Sequence, residues 1–165
     1  MKKIALILAL IAMLGCVASC GQTQKDAETA APVTQSAPTT AAQWLDLLAE
    51  NVPFDDTMTS VPEQAASVYG ILDEDGYTGD CALYISTMAT PEEIAVFQAD
   101  EHLSTEDLIS LAHARLLRQQ GSYEDYAPAE VPKIESAVVK TCGDFVIVCV
   151  CADNTKAESI LNAYA

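Results

Sequence analysis

The stretch SAVVKTCGDFVIVCVC at residues 136–151 predicts a β-hairpin. Its two arms, residues 136–141 and 145–151, are rich in β-branched and other apolar residues, which favour strands. The residues between them, Cys142-Gly143-Asp144, contain a glycine, as tight turns between paired strands usually do. If Gly143-Asp144 forms the turn, Cys142 lies opposite Phe145.

Apolar spacing and capping residues predict the elements around this hairpin. The longest helix begins at Ser104, an N-cap followed by acidic residues in the first turn, and is expected to end at Gly121. Thr-Pro-Glu-Glu at residues 90–93 also suits a helix start, but the apolar run after it favours a buried strand. The predicted helices are residues 43–52, 62–69, 104–120 and 155–164, and the predicted earlier strands are residues 78–86 and 94–97.

A weak internal sequence repeat indicates how these elements combine. Residues 94–100 are followed by a helix that starts at a serine or threonine, and residues 146–153 are followed by another such helix. Each half would be strand, strand, helix. Two such units predict an α+β fold: a two-layer sandwich with an antiparallel sheet of about four strands and helices packed on one face.

The N-terminus has the three parts of an export signal. Two lysines at Lys2 and Lys3 precede the apolar run IALILALIAML at residues 4–14, and small residues lead to Cys20. This order resembles the lipobox of bacterial lipoproteins, which implies that diacylglycerol is attached to Cys20 and that the chain is cut just before it. Cys16 fits less well because Leu14 is large, and residues 4–18 are shorter than the roughly 20 apolar residues that span a membrane.

Three regions follow from this reading. Residues 1–19 are a lipoprotein signal peptide, residues 20–41 are the lipidated cysteine and a flexible tether, and residues 42–165 are one globular domain. The tether is rich in Thr, Ala, Gln, Ser and Pro, which bury too little apolar surface to offset the entropy of ordering. The expected location is the extracytoplasmic face of the cell membrane, with membrane lipid held through Cys20.

Charge narrows the range of partners. The chain has 8 Lys and Arg against 24 Asp and Glu, and removal of the signal takes away Lys2 and Lys3 but no acid, which leaves a net charge of −18. A polyanion is repelled by nucleic acid and by anionic lipid headgroups. An unidentified protein or a cationic ligand stays open as a partner, and attachment to the membrane requires the lipid.

Four further cysteines are the first candidates for chemistry: Cys81, Cys142, Cys149 and Cys151. An even number in an exported protein is compatible with disulfides. A bridge between Cys149 and Cys151 on one strand would be strained, which leaves one bridge from Cys81. The other readings are small buried hydrophobes and a thiolate metal site, and the lack of any C-x-x-C pair weakens the latter.

Other polar residues form no known catalytic or metal-binding pattern. His102 and His113 have no partner at ligand spacing, and no G-x-S-x-G is present. The acidic loop at residues 73–76 fails as a calcium loop because Gly76 in the sixth position would place Ala82 in the twelfth. Arg115 and Arg118, with Lys133, could bind an anion or offset acids on the helix surface. We therefore assign no catalytic residue, metal ligand or cofactor.

Several stretches together resemble a known family. They are Tyr69-Gly70-Ile71, the run EEIAVF at residues 92–97, the run YEDYAP at residues 123–128, and the hairpin at residues 135–150 with Gly143 at its turn. The family comprises small lipoproteins of Gram-positive bacteria that are catalogued only as a domain of unknown function. The likeness covers roughly residues 43–162 and implies the fold and the location but no activity.

The sequence thus predicts a membrane-anchored extracytoplasmic lipoprotein with a non-enzymatic binding or adaptor domain. The alternative is a thiol-dependent or hydrolytic enzyme that uses a strand cysteine. That alternative requires a thiol that is both accessible and depressed in pKa.

Overall fold

A computed structural model describes residues 36–165, which contain a five-stranded antiparallel sheet and five α-helices. The strand order across the sheet is β1-β2-β3-β5-β4. The strands are β1 (Thr59–Ser60), β2 (Cys81–Ile85), β3 (Glu93–Gln98), β4 (Val138–Cys142) and β5 (Phe145–Val150). The helices are α1 (Ala41–Ala49), α2 (Ala65–Tyr69), α3 (Thr105–Tyr126), α4 (Val131–Glu135) and α5 (Asn154–Asn162).

The predicted hairpin is confirmed as β4 and β5. Cys142 pairs with Phe145 across the turn, as the sequence predicts. Gly143 has φ of 63°, in the left-handed region that glycine adopts at little cost. The other side of β5 pairs with β3, from Glu93 opposite Val150 to Gln98 opposite Phe145, so these two strands form the centre of the sheet.

Two apolar clusters, one on each face, hold the helices against the sheet. Alternate residues of β3 and β5 enter different clusters because successive side chains of a strand point to opposite faces. The first cluster contains the apolar residues of α1 and α5, and the second contains those of α2 and α3. The sequence predicts helices on one face only; the structure places them on both, which is why every residue of β5 is buried.

The α+β class and the antiparallel sheet are confirmed. The fifth strand arises because Thr59–Ser60 adds to the outer edge of β2. The order strand, strand, helix does occur twice, as β2, β3, α3 and as β4, β5, α5. However, α3 packs in the second cluster and α5 in the first, so the two halves are not equivalent in their packing.

The predicted end of the long helix at Gly121 is wrong. Helix α3 continues through this glycine to Tyr126 and stops before Pro128, whose ring prevents a regular helix from passing. A glycine inside a helix costs about 1 kcal/mol relative to alanine. Burial of Tyr123, one half-turn later, contributes enough apolar contact to offset that cost.

The export signal at residues 1–19, Cys16, Cys20 and most of the predicted tether lie outside the described residues. The described chain enters the fold at Thr40, whose side chain accepts a hydrogen bond from the Gln43 backbone and caps α1. Within residues 36–165, no helix has the length and apolar character needed to cross a membrane.

Leu48 and Leu117 allow a matched test of this packing. Leu48 is fully buried in the first cluster, whereas Leu117 on α3 is 68% exposed. We expect Leu48→Ala to lower the free energy of unfolding by about 2–5 kcal/mol, because it opens a cavity in the core. Leu117→Ala should change it by less than about 0.5 kcal/mol. Urea denaturation followed by circular dichroism measures both; equal effects would contradict the assigned position of α1.

Candidate functional site

A cavity of about 570 Å³ lies between α2, α3 and the segment that connects β2 to β3. Its apolar wall includes Val68, Ile85 and Met88. Its polar wall and rim consist mainly of side chains from β3 and α3, namely Glu93, Arg115, Arg118, Gln119, Tyr123 and Tyr126. A cavity of this size and composition is typical of sites for small molecules.

The carboxylate of Glu93 forms the buried end of this cavity. Its side chain is 1% exposed. Oε1 accepts a hydrogen bond from the Tyr69 hydroxyl at 2.7 Å. Oε2 accepts one from Arg115 Nη2 at 2.8 Å and one from Gln119 Nε2 at 3.2 Å. A buried carboxylate is tolerated only when charged and hydrogen-bonding partners compensate the loss of water, and these three donors do so.

The hydroxyl of Tyr69 is locked as a donor. Burial and the negative charge of Glu93 raise the pKa of Tyr69 well above its usual value. The phenol therefore stays protonated near neutral pH. The Tyr69 ring also packs against that of Phe97, with ring centroids 4.7 Å apart and an interplanar angle of 57°.

Gln119 and Arg115 line the cavity, and each also has a buried polar atom. Gln119 Nε2 also donates to the Pro91 carbonyl at 3.1 Å, so both of its neighbours are acceptors and the orientation of the amide is determined. Gln119 Oε1 and Arg115 Nε are buried and have no hydrogen-bond partner among residues 36–165. Buried polar atoms without partners cost free energy, and they are more frequent at functional sites.

Arg118 differs from the other basic groups at this site. It is exposed at the rim, one turn from Arg115, and its Nη2 donates a hydrogen bond to the Val68 carbonyl at 3.3 Å. Within the described part of the chain, no carboxylate lies within 4.0 Å of its guanidinium.

Glu92, the neighbour of Glu93, is equally buried but has a structural role. Its carboxylate accepts hydrogen bonds from the backbone N–H groups of Asp55 and Asp56 at 2.9–3.0 Å and from the Thr90 hydroxyl at 3.0 Å. Lys133 Nζ lies 3.3 Å away and also contacts Asp55. Burial lowers the pKa of Lys133, but hydrogen bonds to Asp55 and Glu130 outweigh it and raise the pKa. Glu92 thus ties α4 and the segment after α1 to the start of β3.

The four cysteines of the domain are free thiols. Cys142, Cys149 and Cys151 are buried in the first cluster, whereas Cys81 is half-buried against the second, on the other face of the sheet. Burial raises the pKa of Cys81 and of Cys142. A hydrogen bond with Cys149 lowers the pKa of Cys151, but Cys151 is only 1% exposed. The domain thiols therefore do not combine a lowered pKa with access.

The remaining candidates from the sequence are not brought together. His102 and His113 are exposed, and residues 36–165 contain no group of three or more His, Cys, Asp or Glu side chains placed to hold a metal ion. The acidic loop forms a short 3₁₀ turn, Asp73–Asp75, in which Asp75 accepts from the Leu72 backbone. The interpretation that Arg115 offsets acids on its own helix surface is wrong, because its partner is Glu93 of β3.

Three of the stretches that carry the family resemblance meet at this cavity. Tyr69 comes from the first, Glu92 and Glu93 from the second, and Tyr123 and Tyr126 from the third. Sequence reasoning did not assign a role to these residues or to Gln119. The sequence feature that could have identified this site is a pair of glutamates directly before an apolar strand. Burying charged side chains at such a position costs free energy, so they are retained there only with compensating partners.

The family model described as Domain of unknown function (DUF4358) matches residues 51–151. The chain belongs to this family. The lining of the cavity, from Gln64 to Tyr126, lies entirely within the matched DUF4358 region, whereas α1 and α5 lie outside it. No curated protein and no solved structure matches the chain significantly.

Tyr69→Phe tests the hydrogen bond to Glu93 through its pH dependence. We expect the variant to lower the free energy of unfolding at pH 7 by about 1–3 kcal/mol, because a bond to a buried charge is lost. Since the pKa of Tyr69 is raised in the folded state, its contribution is complete below about pH 10 and decreases as pH rises further. The difference between wild type and variant should therefore shrink above about pH 10.

Urea denaturation between pH 7 and pH 11 provides the measurement. Tyr126→Phe is the matched control, because Tyr126 is 71% exposed and should leave the stability unchanged. A constant difference between wild type and Tyr69→Phe across this range would show that Tyr69 is not held as a buried donor.

Proposed function

We propose that this chain is a membrane-anchored extracytoplasmic lipoprotein whose DUF4358 domain binds a small molecule in the cavity between α2 and α3. The observation that carries the proposal is a largely apolar cavity with a compensated buried charge at one end. At its rim lies Arg118, which has no carboxylate partner among residues 36–165. Natural sites for small molecules combine these features, since apolar walls supply affinity and a few polar groups set orientation.

Binding is favoured over catalysis by the state of the polar groups. Both oxygens of Glu93 already accept hydrogen bonds. Burial raises the pKa of Tyr69, so its phenol stays protonated near neutral pH and does not act as a general base. The thiol-dependent alternative lacks support because the three cysteines on β4, on β5 and after β5 are at most 2% exposed.

Anchoring is supported by the N-terminal sequence. The export signal, the small residues before Cys20 and the polar tether together suit a domain held close to a membrane surface. A net charge of −18 for the cut chain would repel it from anionic headgroups, so the lipid is the attachment that physical chemistry allows.

Cys20→Ala tests the anchor, and Cys16→Ala is its matched control. In the native host, the wild type and Cys16→Ala should be found in the membrane fraction. Cys20→Ala should be released to the medium or retained as an uncut precursor. Immunoblots of membrane and medium fractions give the readout. A Cys20→Ala chain that is still processed and membrane-bound would overturn the anchor proposal.

Ser122→Trp tests the cavity. Ser122 lines the cavity on α3, whereas Ser110 lies on the same helix away from it, and each hydroxyl donates to the carbonyl four residues earlier. We expect a set of neutral, anionic and cationic fragments to give saturation-transfer NMR signals with the mature full chain. Binding of some members should be lost in Ser122→Trp, because the indole fills the cavity, and retained in Ser110→Trp. If no fragment distinguishes the two variants, the proposed site is wrong.

A further inference from the structure

We propose that the cavity takes an amphipathic anion, with an apolar or aromatic body inside and a carboxylate or phosphate group held by Arg115 and Arg118. This inference rests on the proposed function, because it names the ligand class for the same cavity.

Positive charge is scarce in this protein. The chain contains two arginines, Arg115 and Arg118, and both line the cavity. They lie three residues apart on α3, so their side chains are neighbours on one helix face. Arg115 pairs with Glu93, whereas Arg118 has no carboxylate within 4.0 Å in the described residues.

The two acids that line the cavity are already compensated. Glu93 is neutralised by Arg115 and satisfied by Tyr69 and Gln119. Glu92 is held by Lys133 and by backbone N–H groups. The charge of Arg118 is therefore the one that these contacts leave uncompensated at the rim. An anion that enters the cavity therefore lies close to the positive charge of Arg118, although the chain as a whole is negatively charged.

The free donors match an anionic head. Arg118 is exposed and has one long bond to the Val68 carbonyl, and Arg115 beside it uses Nη2 for Glu93. Guanidinium groups bind carboxylate and phosphate through paired N–H donors, and such charge-assisted bonds are stronger than neutral ones. An ammonium group would bind poorly here, because it is positively charged and has hydrogen-bond donors but no acceptor for the guanidinium N–H groups.

The walls of the cavity match an apolar body. Val68, Ile85 and Met88 line it, and Tyr126 at the rim is 71% exposed. Met88 has φ of 72°, an uncommon conformation for a non-glycine residue, and its carbonyl is held by the Tyr123 hydroxyl at 2.9 Å. Strained backbone of this kind is concentrated at ligand sites. The volume of about 570 Å³ leaves room for more than the head group.

The net charge of the chain opposes anions only at long range. Exposed charges more than about 8 Å apart are largely screened at physiological ionic strength. Inside a partly apolar cavity the effective dielectric constant is lower, so the nearby guanidinium groups dominate. The site therefore favours an anion that also has an apolar body. Contacts of the apolar body with the cavity walls supply affinity that long-range electrostatic attraction does not supply in a chain of net negative charge.

Four probes of similar shape test this inference: benzoate, phenyl phosphate, benzamide and benzylammonium. Binding to the mature full chain is measured by ligand-observed NMR titration. We expect benzoate or phenyl phosphate to bind about tenfold or more tightly than benzamide, and benzylammonium to bind weakest. The better of the two anions identifies the head group. Raising the salt concentration from about 0.05 M to 0.5 M should weaken anion binding and leave benzamide unchanged.

Arg118→Gln should weaken the preferred anion about tenfold without changing benzamide. Lys156→Gln removes the same charge from an exposed position on α5 and should leave both unchanged. Because Arg118 is exposed, the variant should keep its fold, which thermal unfolding checks. Equal loss in Arg118→Gln and Lys156→Gln would overturn the inference, since it would indicate general electrostatics.

Failure of the ligand class is distinguishable from failure of the site. If benzamide or benzylammonium binds as tightly as the anions, and Ser122→Trp abolishes that binding, the class is wrong and the cavity still binds ligands. If none of the four probes and no other fragment responds to Ser122→Trp, the proposed function fails as well. Anion binding that persists in Ser122→Trp would place the anion elsewhere and overturn the inference.

Discussion

The buried carboxylate of Glu93 is the interaction on which the candidate site depends. It lies at the start of β3, under two helices, and each of its partners comes from a helix: Tyr69 from α2, and Arg115 and Gln119 from α3. Removing one hydrogen-bond donor from such a buried charge costs about 1–3 kcal/mol, so the three positions constrain one another. The network connects α2 and α3 through Glu93, and the cavity lies between these two helices.

Glu92 extends the same constraint in another direction. Because successive residues of an extended segment point to opposite sides, its carboxylate turns away from Glu93 and binds Lys133 and the backbone at Asp55 and Asp56. The start of β3 therefore connects four parts of the molecule. The two buried carboxylates at this point, Glu93 and Glu92, each have their own set of compensating partners. The guanidinium of Arg118 takes part in neither set and lines the cavity.

Local features of the sequence were enough to predict most elements. The hairpin follows from two β-rich arms around Gly143, and α3 begins where Ser104 and Asp107 cap each other. The prediction that α3 ends at Gly121 is wrong because propensity is weaker than tertiary packing, here the burial of Tyr123. The placement of helices on both faces depends on α1 and α5 joining one cluster from opposite ends of the domain, which local periodicity does not encode.

The sequence by itself determined the α+β class, the central hairpin and the case for an export signal and lipid on Cys20, because each follows from short-range patterns of apolarity, glycine and charge. Only the tertiary structure decided which polar groups meet. Tyr69, Glu93 and Arg115 are more than 20 residues apart along the chain. The buried carboxylate of Glu93 binds only those donors that the packing of the helices brings within hydrogen-bond distance. That selection depends on the geometry of helices against the sheet, which is why the cavity became visible only in three dimensions.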